Sequence, residues 1–77
     1  MPVKSVLMLI ADMDDERFTI IGPTSDVESV QYRVRNKQVS GRHMRCEPVP
    51  SHLTREDAIA EYSRLHPDMR YDDAIAA

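Results

Sequence analysis

The stretch at residues 29–49, SVQYRVRNKQVSGRHMRCEPV, decides the predicted fold of this chain. Apolar and polar side chains alternate in its first half, with apolar residues at Val30, Tyr32 and Val34. A period of two is typical of a β-strand with one buried face. Asn36 and Lys37 then supply a tight turn, because asparagine tolerates the positive φ of a two-residue hairpin. Residues 39–49 return as a second strand, with a bulge predicted at Gly41.

The same stretch also fits a helix. Residues 25–28, SDVE, match a capping box, and residues 26–38 can be written as a helix that follows it. In that alternative one face carries Val27, Val30 and Val34, and Tyr32 falls outside it. The β-branched residues and the strict alternation favour the strand, so the hairpin is the prediction.

Two further strands are predicted before this hairpin. Residues 3–11 form a nearly continuous apolar run, which indicates a central strand covered on both faces. Residues 18–21 form the second strand, ended by Gly22 and Pro23. The polar residues 12–17 between them predict an antiparallel hairpin turn.

The strongest helix signal begins at Thr54, a good N-cap residue with Asp57 three positions later. An apolar stripe continues along the helix at Ala58, Ile59, Tyr62 and Leu65. Pro67 ends it, because the residue before a proline disfavours helical geometry. The predicted fold class is therefore α+β, with the order β-β-β-β-α: an antiparallel sheet of about four strands and a C-terminal helix packed on one face.

Length and composition limit the classes of function. Residues 1–77 are predicted to form a single domain, with 68–77 as a short second helix or a frayed tail. A domain of this size leaves little room for a deep substrate cleft. The single Cys46 excludes an internal disulfide, and no apolar run is long enough to span a membrane. We therefore expect a cytoplasmic protein that works through its surface.

The net charge of −3 conceals a strong segregation of charge. Residues 12–28 carry six acids against one arginine, and residues 46–77 carry seven acids against three arginines. Residues 33–45 carry five basic residues and no acidic one. The candidate partner-binding residues are therefore a basic set on the hairpin, Arg33, Arg35 and Arg45. The acidic alternative lies in the first turn and comprises Asp14, Asp15 and Glu16.

No catalytic constellation, metal site or cofactor is predicted. The acidic run at 12–16 lacks the EF-hand pattern, since Arg17 and Pro23 occupy the positions that need glycine and glutamate. A glycine-rich phosphate loop is excluded because the chain has two glycines, far apart. We therefore predict a non-enzymatic protein-binding module, an inhibitor or an adaptor that covers a partner's surface.

In size and layout alone the chain resembles phage-encoded inhibitors of bacterial defence, including anti-CRISPR proteins, and this comparison identifies no family; a protein is the predicted partner because the chain is interpreted as a binding module. No motif carries that resemblance. The first alternative is a nucleic-acid-binding domain that uses the basic face of 29–49. The second is an enzyme that resembles tautomerases, in which Pro2 would be the catalytic base. The sequence predicts no membrane partner, and either a monomer or a homodimer paired through a strand edge.

Overall fold

The computed structural model describes residues 4–76, and the sheet that it contains is mixed. The elements in chain order are β1 (Val6–Asp12), β2 (Arg17–Thr24), α1 (Val27–Val39), β3 (Met44–Pro48), α2 (Arg55–Leu65), β4 (Arg70–Tyr71) and a 3-10 turn at Asp73–Ala76. The strand order in the sheet is β3-β1-β2-β4. Strand β1 is antiparallel to both neighbours, whereas β4 runs parallel to β2. The α+β class and the four strands are confirmed, but the wholly antiparallel sheet and the β-β-β-β-α order are wrong.

The predicted hairpin across the acidic turn is confirmed. Its register pairs Asp12 with Arg17, and the Asp12 carboxylate organises the turn by accepting hydrogen bonds from the backbone N–H groups of Asp14 and Asp15 at 3.1 and 3.2 Å. Strand β2 runs past the predicted stop at Gly22 as far as Thr24. A Cβ on Gly22 would lie 2.9 Å from the Val6 carbonyl oxygen, so the close approach of β1 requires glycine there.

Helix α1 replaces the predicted hairpin, so the strand interpretation of residues 29–39 is wrong. The Asp26 carboxylate caps the helix by accepting the Ser29 N–H at 3.2 Å. Val30 and Val34, four positions apart, are 3% and 5% exposed, whereas Tyr32 is 64% exposed. Burying two valines along one helical stripe outweighs the small propensity cost of β-branched residues in a helix. Tyr32 is therefore not in the core.

Of the second predicted strand, residues 39–49, only the five residues of β3 form a strand in the structure. Asn36 and Lys37, the predicted turn, lie inside α1, and β3 begins at Met44. Gly41 is not a bulge in a strand, since it lies in the α1–β3 loop with φ +97°. A positive φ there favours glycine because other residues are strained in that region.

The two helices cover opposite faces of the sheet. On one face α1 packs over β1 and β3, in a cluster formed by Met8, Ile10, Val30, Val34, Met44 and Ile75. On the other face α2 closes a cluster formed by Leu9, Ala11, Phe18, Ile20, Val49, Ala58, Tyr62 and Met69. Strand β1 is thus covered on both faces, as its apolar run predicted.

Helix α2 begins where the sequence predicts. Thr54 and Asp57 form a capping box, with the Thr54 hydroxyl accepting the Asp57 N–H at 3.1 Å. The buried stripe is shorter than predicted, because Leu65 is 57% exposed. In the segment at 68–77, the structure has β4 and the 3-10 turn, which buries Ile75.

Candidate functional site

The solvent face of α1 presents a group of large side chains that nothing covers. Tyr32 is 64% exposed and Val39 is 83% exposed. Arg35 and Val39 lie three and seven positions after Tyr32, so the three side chains follow one line along the helix. This line is opposite the buried stripe of Val30 and Val34. We call Tyr32, Arg33, Arg35 and Val39 the α1 surface.

The two arginines of the α1 surface are exposed. Neither guanidinium of Arg33 or Arg35 has an ion-pair partner among residues 4–76. The third cation of this helix is engaged, because Lys37 Nζ donates to the Ile75 carbonyl oxygen at 3.0 Å. The α1 surface therefore offers a free positive charge next to an exposed aromatic ring.

Arg45 lies elsewhere, so the predicted basic face is not one surface. In the sheet register Arg45 is opposite Ala11 and Glu47 is opposite Leu9, on the face covered by α2. Arg45 also pairs with Glu47 at 3.4 Å. Arg33 and Arg35 both lie on α1, but two positions of a helix place them about 160° apart around its axis, so they flank it on different sides. Arg45 is separated from both by the thickness of the sheet. The reason is that residues 29–39 form a helix on the other face.

The acidic turn is tied to the loop between α1 and β3. Asp14 accepts the His43 backbone N–H at 3.1 Å and contacts His43 Nδ1 at 2.8 Å. The hydrogen bond between the two side chains raises the pKa of His43 and, together with the His43 N–H, lowers the pKa of Asp14. Asp14 is therefore engaged within the protein.

Arginines neutralise the rest of this turn. Arg42 donates to the buried Asp12 at 2.6 Å and to Asp15 at 3.0 Å. Arg17 donates to Asp15 at 3.0 Å and to Asp72 at 3.0 Å. The Arg42 guanidinium is the main cause of the lowered pKa of Asp15. Glu16 stays exposed at the end of the turn, with φ +53°. The acidic turn therefore holds the α1–β3 loop against the β1–β2 hairpin, and most of its carboxylates are already paired within the protein.

Two residues of the sequence remain to be considered for chemistry: Pro2, the candidate base of the enzymatic alternative, and the single thiol, Cys46. Pro2 lies outside the described residues. Cys46 is half-buried in β3, and burial raises the pKa of its thiol, which disfavours the thiolate. Within residues 4–76, no three His, Cys, Asp or Glu side chains are grouped so that they can hold a metal ion. In the same part of the chain, neither helix has the length and apolar character needed to cross a bilayer.

Sequence reasoning missed Tyr32 and Val39 as surface residues. Their signal was present in the helical alternative, which already put Tyr32 outside the apolar face. The pairing of Arg42 and His43 with the acidic turn had no local signal, because those partners are about 30 positions apart.

Comparison with known proteins gives no match to a family model, a curated protein or a solved structure.

Proposed function

We propose that this chain is a cytoplasmic, non-enzymatic protein-binding module that covers part of a partner's surface with the α1 surface. The observation that carries the proposal is the exposure of Tyr32 beside Arg35, whose guanidinium has no ion-pair partner within the part of the chain that the structure describes. Tyrosine and arginine are the residue types most enriched among those that dominate binding energy at protein interfaces. An inhibitor or an adaptor is the activity that such a surface supports.

The side chains of the α1 surface do not stabilise the fold through burial. Solubility would be served by polar residues at these positions, and an exposed tyrosine and valine on one helix face instead favour contact with another molecule. The helix itself is held by its buried valines and its Asp26 cap, so it presents these side chains on a rigid element.

Pairing through the edge of β3 is disfavoured, and we propose that the module acts as a monomer. Strand β1 lies inside the sheet, between β3 and β2. At the outer edge of β3 the register exposes the backbone groups of Met44, Cys46 and Pro48. Gln38 Nε2 already donates to the Met44 carbonyl oxygen at 2.9 Å, and a proline has no N–H to offer.

One observation favours nucleic acid as a second candidate partner. Tyr32 was expected in the core, and its exposure on the side of α1 that carries Arg35 provides a ring on which a base could stack. The net charge of −3 opposes this candidate, since phosphate contacts dominate such binding.

The test is a tagged pull-down from the native host with and without nuclease. The α1 variant carries Arg33→Glu and Arg35→Glu, and the matched control carries Lys4→Glu and Arg70→Glu, two exposed cations outside α1. Both double variants change the net charge equally. We expect one protein to survive nuclease treatment with the wild type and the control variant and to be lost with the α1 variant.

The other outcomes are equally informative. Material that disappears with nuclease would assign the α1 surface to nucleic acid. A protein retained equally by both double variants would remove the α1 surface from the proposal. Recovery of nothing would contradict the binding module and favour the enzymatic alternative at Pro2.

A further inference from the structure

An apolar groove lies between α2 and β3, on the sheet face opposite α1. Its volume is about 200 Å³. The apolar lining includes Leu9, Ile20, Val49, Ala58, Tyr62 and Leu65. Helix α2 lies over β2 and β4, so the part of this face above β3 is left open, and Arg45 and Glu47 are exposed there. Leu65, at the outer wall, is more than half exposed.

The hydroxyl of Tyr62 is the polar atom that the fold leaves unsatisfied at this groove. Tyr62 is 8% exposed, and its buried hydroxyl has no hydrogen-bond partner among the described residues. The ring is fixed between Phe18 and His66, with centroid distances of 4.6 and 4.4 Å. Tyr62 lines the groove together with Glu47 of β3 and Glu61 of α2. A buried donor without a partner costs free energy in the unbound protein, and a ligand atom that accepts from it removes that cost.

Two carboxylates line the same groove. Glu47 projects from β3 and Glu61 from α2. Each is held by an exposed arginine, Glu47 by Arg45 at 3.4 Å and Glu61 by Arg64 at 2.6 Å. Exposed ion pairs of this kind are weak, so a cation from a ligand can replace either arginine at little cost. The groove thus combines an apolar interior, a buried hydroxyl and two rim carboxylates that are held only by exposed ion pairs.

We propose that this groove binds an apolar side chain of a protein partner, flanked by a lysine or an arginine. The apolar side chain would fill the space between Leu9 and Leu65, and a carbonyl of the partner would accept from the Tyr62 hydroxyl. The cationic side chain would reach Glu47 and Glu61. The volume is below the ~300 Å³ at which pockets for small molecules begin, which favours a single inserted side chain. The inference is independent of the α1 surface, because the sheet separates the two sites.

The test uses three capped tripeptides and the full chain, observed by amide NMR. The probe is acetyl-Lys-Leu-Lys-amide, and the controls are acetyl-Glu-Leu-Glu-amide and acetyl-Lys-Ser-Lys-amide. We expect saturable millimolar binding of the probe, with shifts at Ala58, Leu65 and Glu47, and weaker binding of both controls. Equal binding of the three peptides, or no saturable shift at the groove with the probe, would overturn the proposal.

Two variants test the polar contacts. Tyr62→Phe should weaken binding of the probe about 2- to 10-fold, the range that one hydrogen bond supplies. Its resistance to urea should be unchanged or higher, because the lost hydroxyl was unpaired. A less stable variant would mean that the hydroxyl has a partner in the unbound protein, which refutes the argument. Glu47→Gln with Glu61→Gln should abolish the preference for the basic over the acidic peptide, and a retained preference would exclude these carboxylates.

A third variant separates this proposal from the α1 surface. Tyr32→Ala with Arg35→Glu should leave binding of the probe unchanged. Loss of probe binding in this variant would place the peptide on α1 and not in the groove. Conversely, Tyr62→Phe could bind the probe as tightly as the wild type does while the pull-down still depends on the α1 surface. That result would refute the groove proposal and leave the α1 proposal standing.

Discussion

Replacing Val34 by alanine tests whether residues 27–39 pack as helix α1. Val34 is buried against β1 and β3, and the substitution removes two methyl groups from that contact. The lost burial costs about 1.6 kcal/mol and the cavity adds to it, while the better helix propensity of alanine returns roughly 0.5 kcal/mol. We therefore expect Val34→Ala to lower the free energy of unfolding by about 1–2 kcal/mol.

The matched controls lie on the same helix. Val39→Ala makes the same chemical change at an exposed position, and Tyr32→Ala removes the aromatic ring that the hairpin interpretation put in the core. Both should change the unfolding free energy by less than about 0.5 kcal/mol. Urea unfolding followed by circular dichroism measures the difference, since a slope of about 1 kcal/mol per M moves the midpoint of Val34→Ala by roughly 1–2 M. If Tyr32→Ala were as destabilising as Val34→Ala, the helical packing would be refuted.

Three further predictions concern local interactions. The pKa of His43, measured by NMR titration, should lie above 6.5 and return toward that value in Asp14→Asn, because the hydrogen bond to Asp14 is its main cause. Since folding raises that pKa, the contribution of the His43–Asp14 pair to stability is present below pH 6.5 and declines as the pH rises through the raised value. A His43 pKa that is the same in the wild type and in Asp14→Asn would show that the two side chains do not interact. Thr54→Ala should lower the unfolding free energy by about 1 kcal/mol in urea, whereas Thr54→Ser keeps the cap; equal losses would show that the hydroxyl does not cap α2. The Cys46 thiol should react slowly with a disulfide reagent at pH 8 in the native protein and quickly in denaturant, and equal rates would mean that burial does not protect it.

Predictions from sequence succeeded where the determining interactions are local. The β1–β2 hairpin follows from an apolar run, an acidic turn and a second β-rich run that are adjacent in the chain. Helix α2 follows from the Thr54 capping box and from the proline at position 67. Each of these sequence features lies within a few residues of the strand, turn or helix end that it determines.

The error in residues 29–39 has a specific cause. Valines at 30 and 34 satisfy both the strand period of two and the helical spacing of four, so only Tyr32 separates the two interpretations. Counted as an apolar residue, Tyr32 supports a strand, yet in the structure it is a surface residue. Strand β4 could not be predicted either, because two residues paired in parallel with β2 carry no periodic pattern.

The same limit applies to the candidate site. Exposure of Arg33 and Arg35 could be predicted, since charged residues rarely bury without partners. The pairing of Asp14 with His43 and of Asp15 with Arg42 could not be predicted, because the fold brings these partners to the turn from about 30 positions away.

Strand β1 belongs to both hydrophobic clusters, and this couples the two layers of the protein. Met8 and Ile10 pack beneath α1, while Leu9 and Ala11 pack beneath α2. Detachment of either helix would expose one side of the strand on which the other cluster also depends, so neither layer has a core that survives alone. We therefore expect one cooperative unfolding transition, with the amides of β1 exchanging with solvent only when the whole molecule opens.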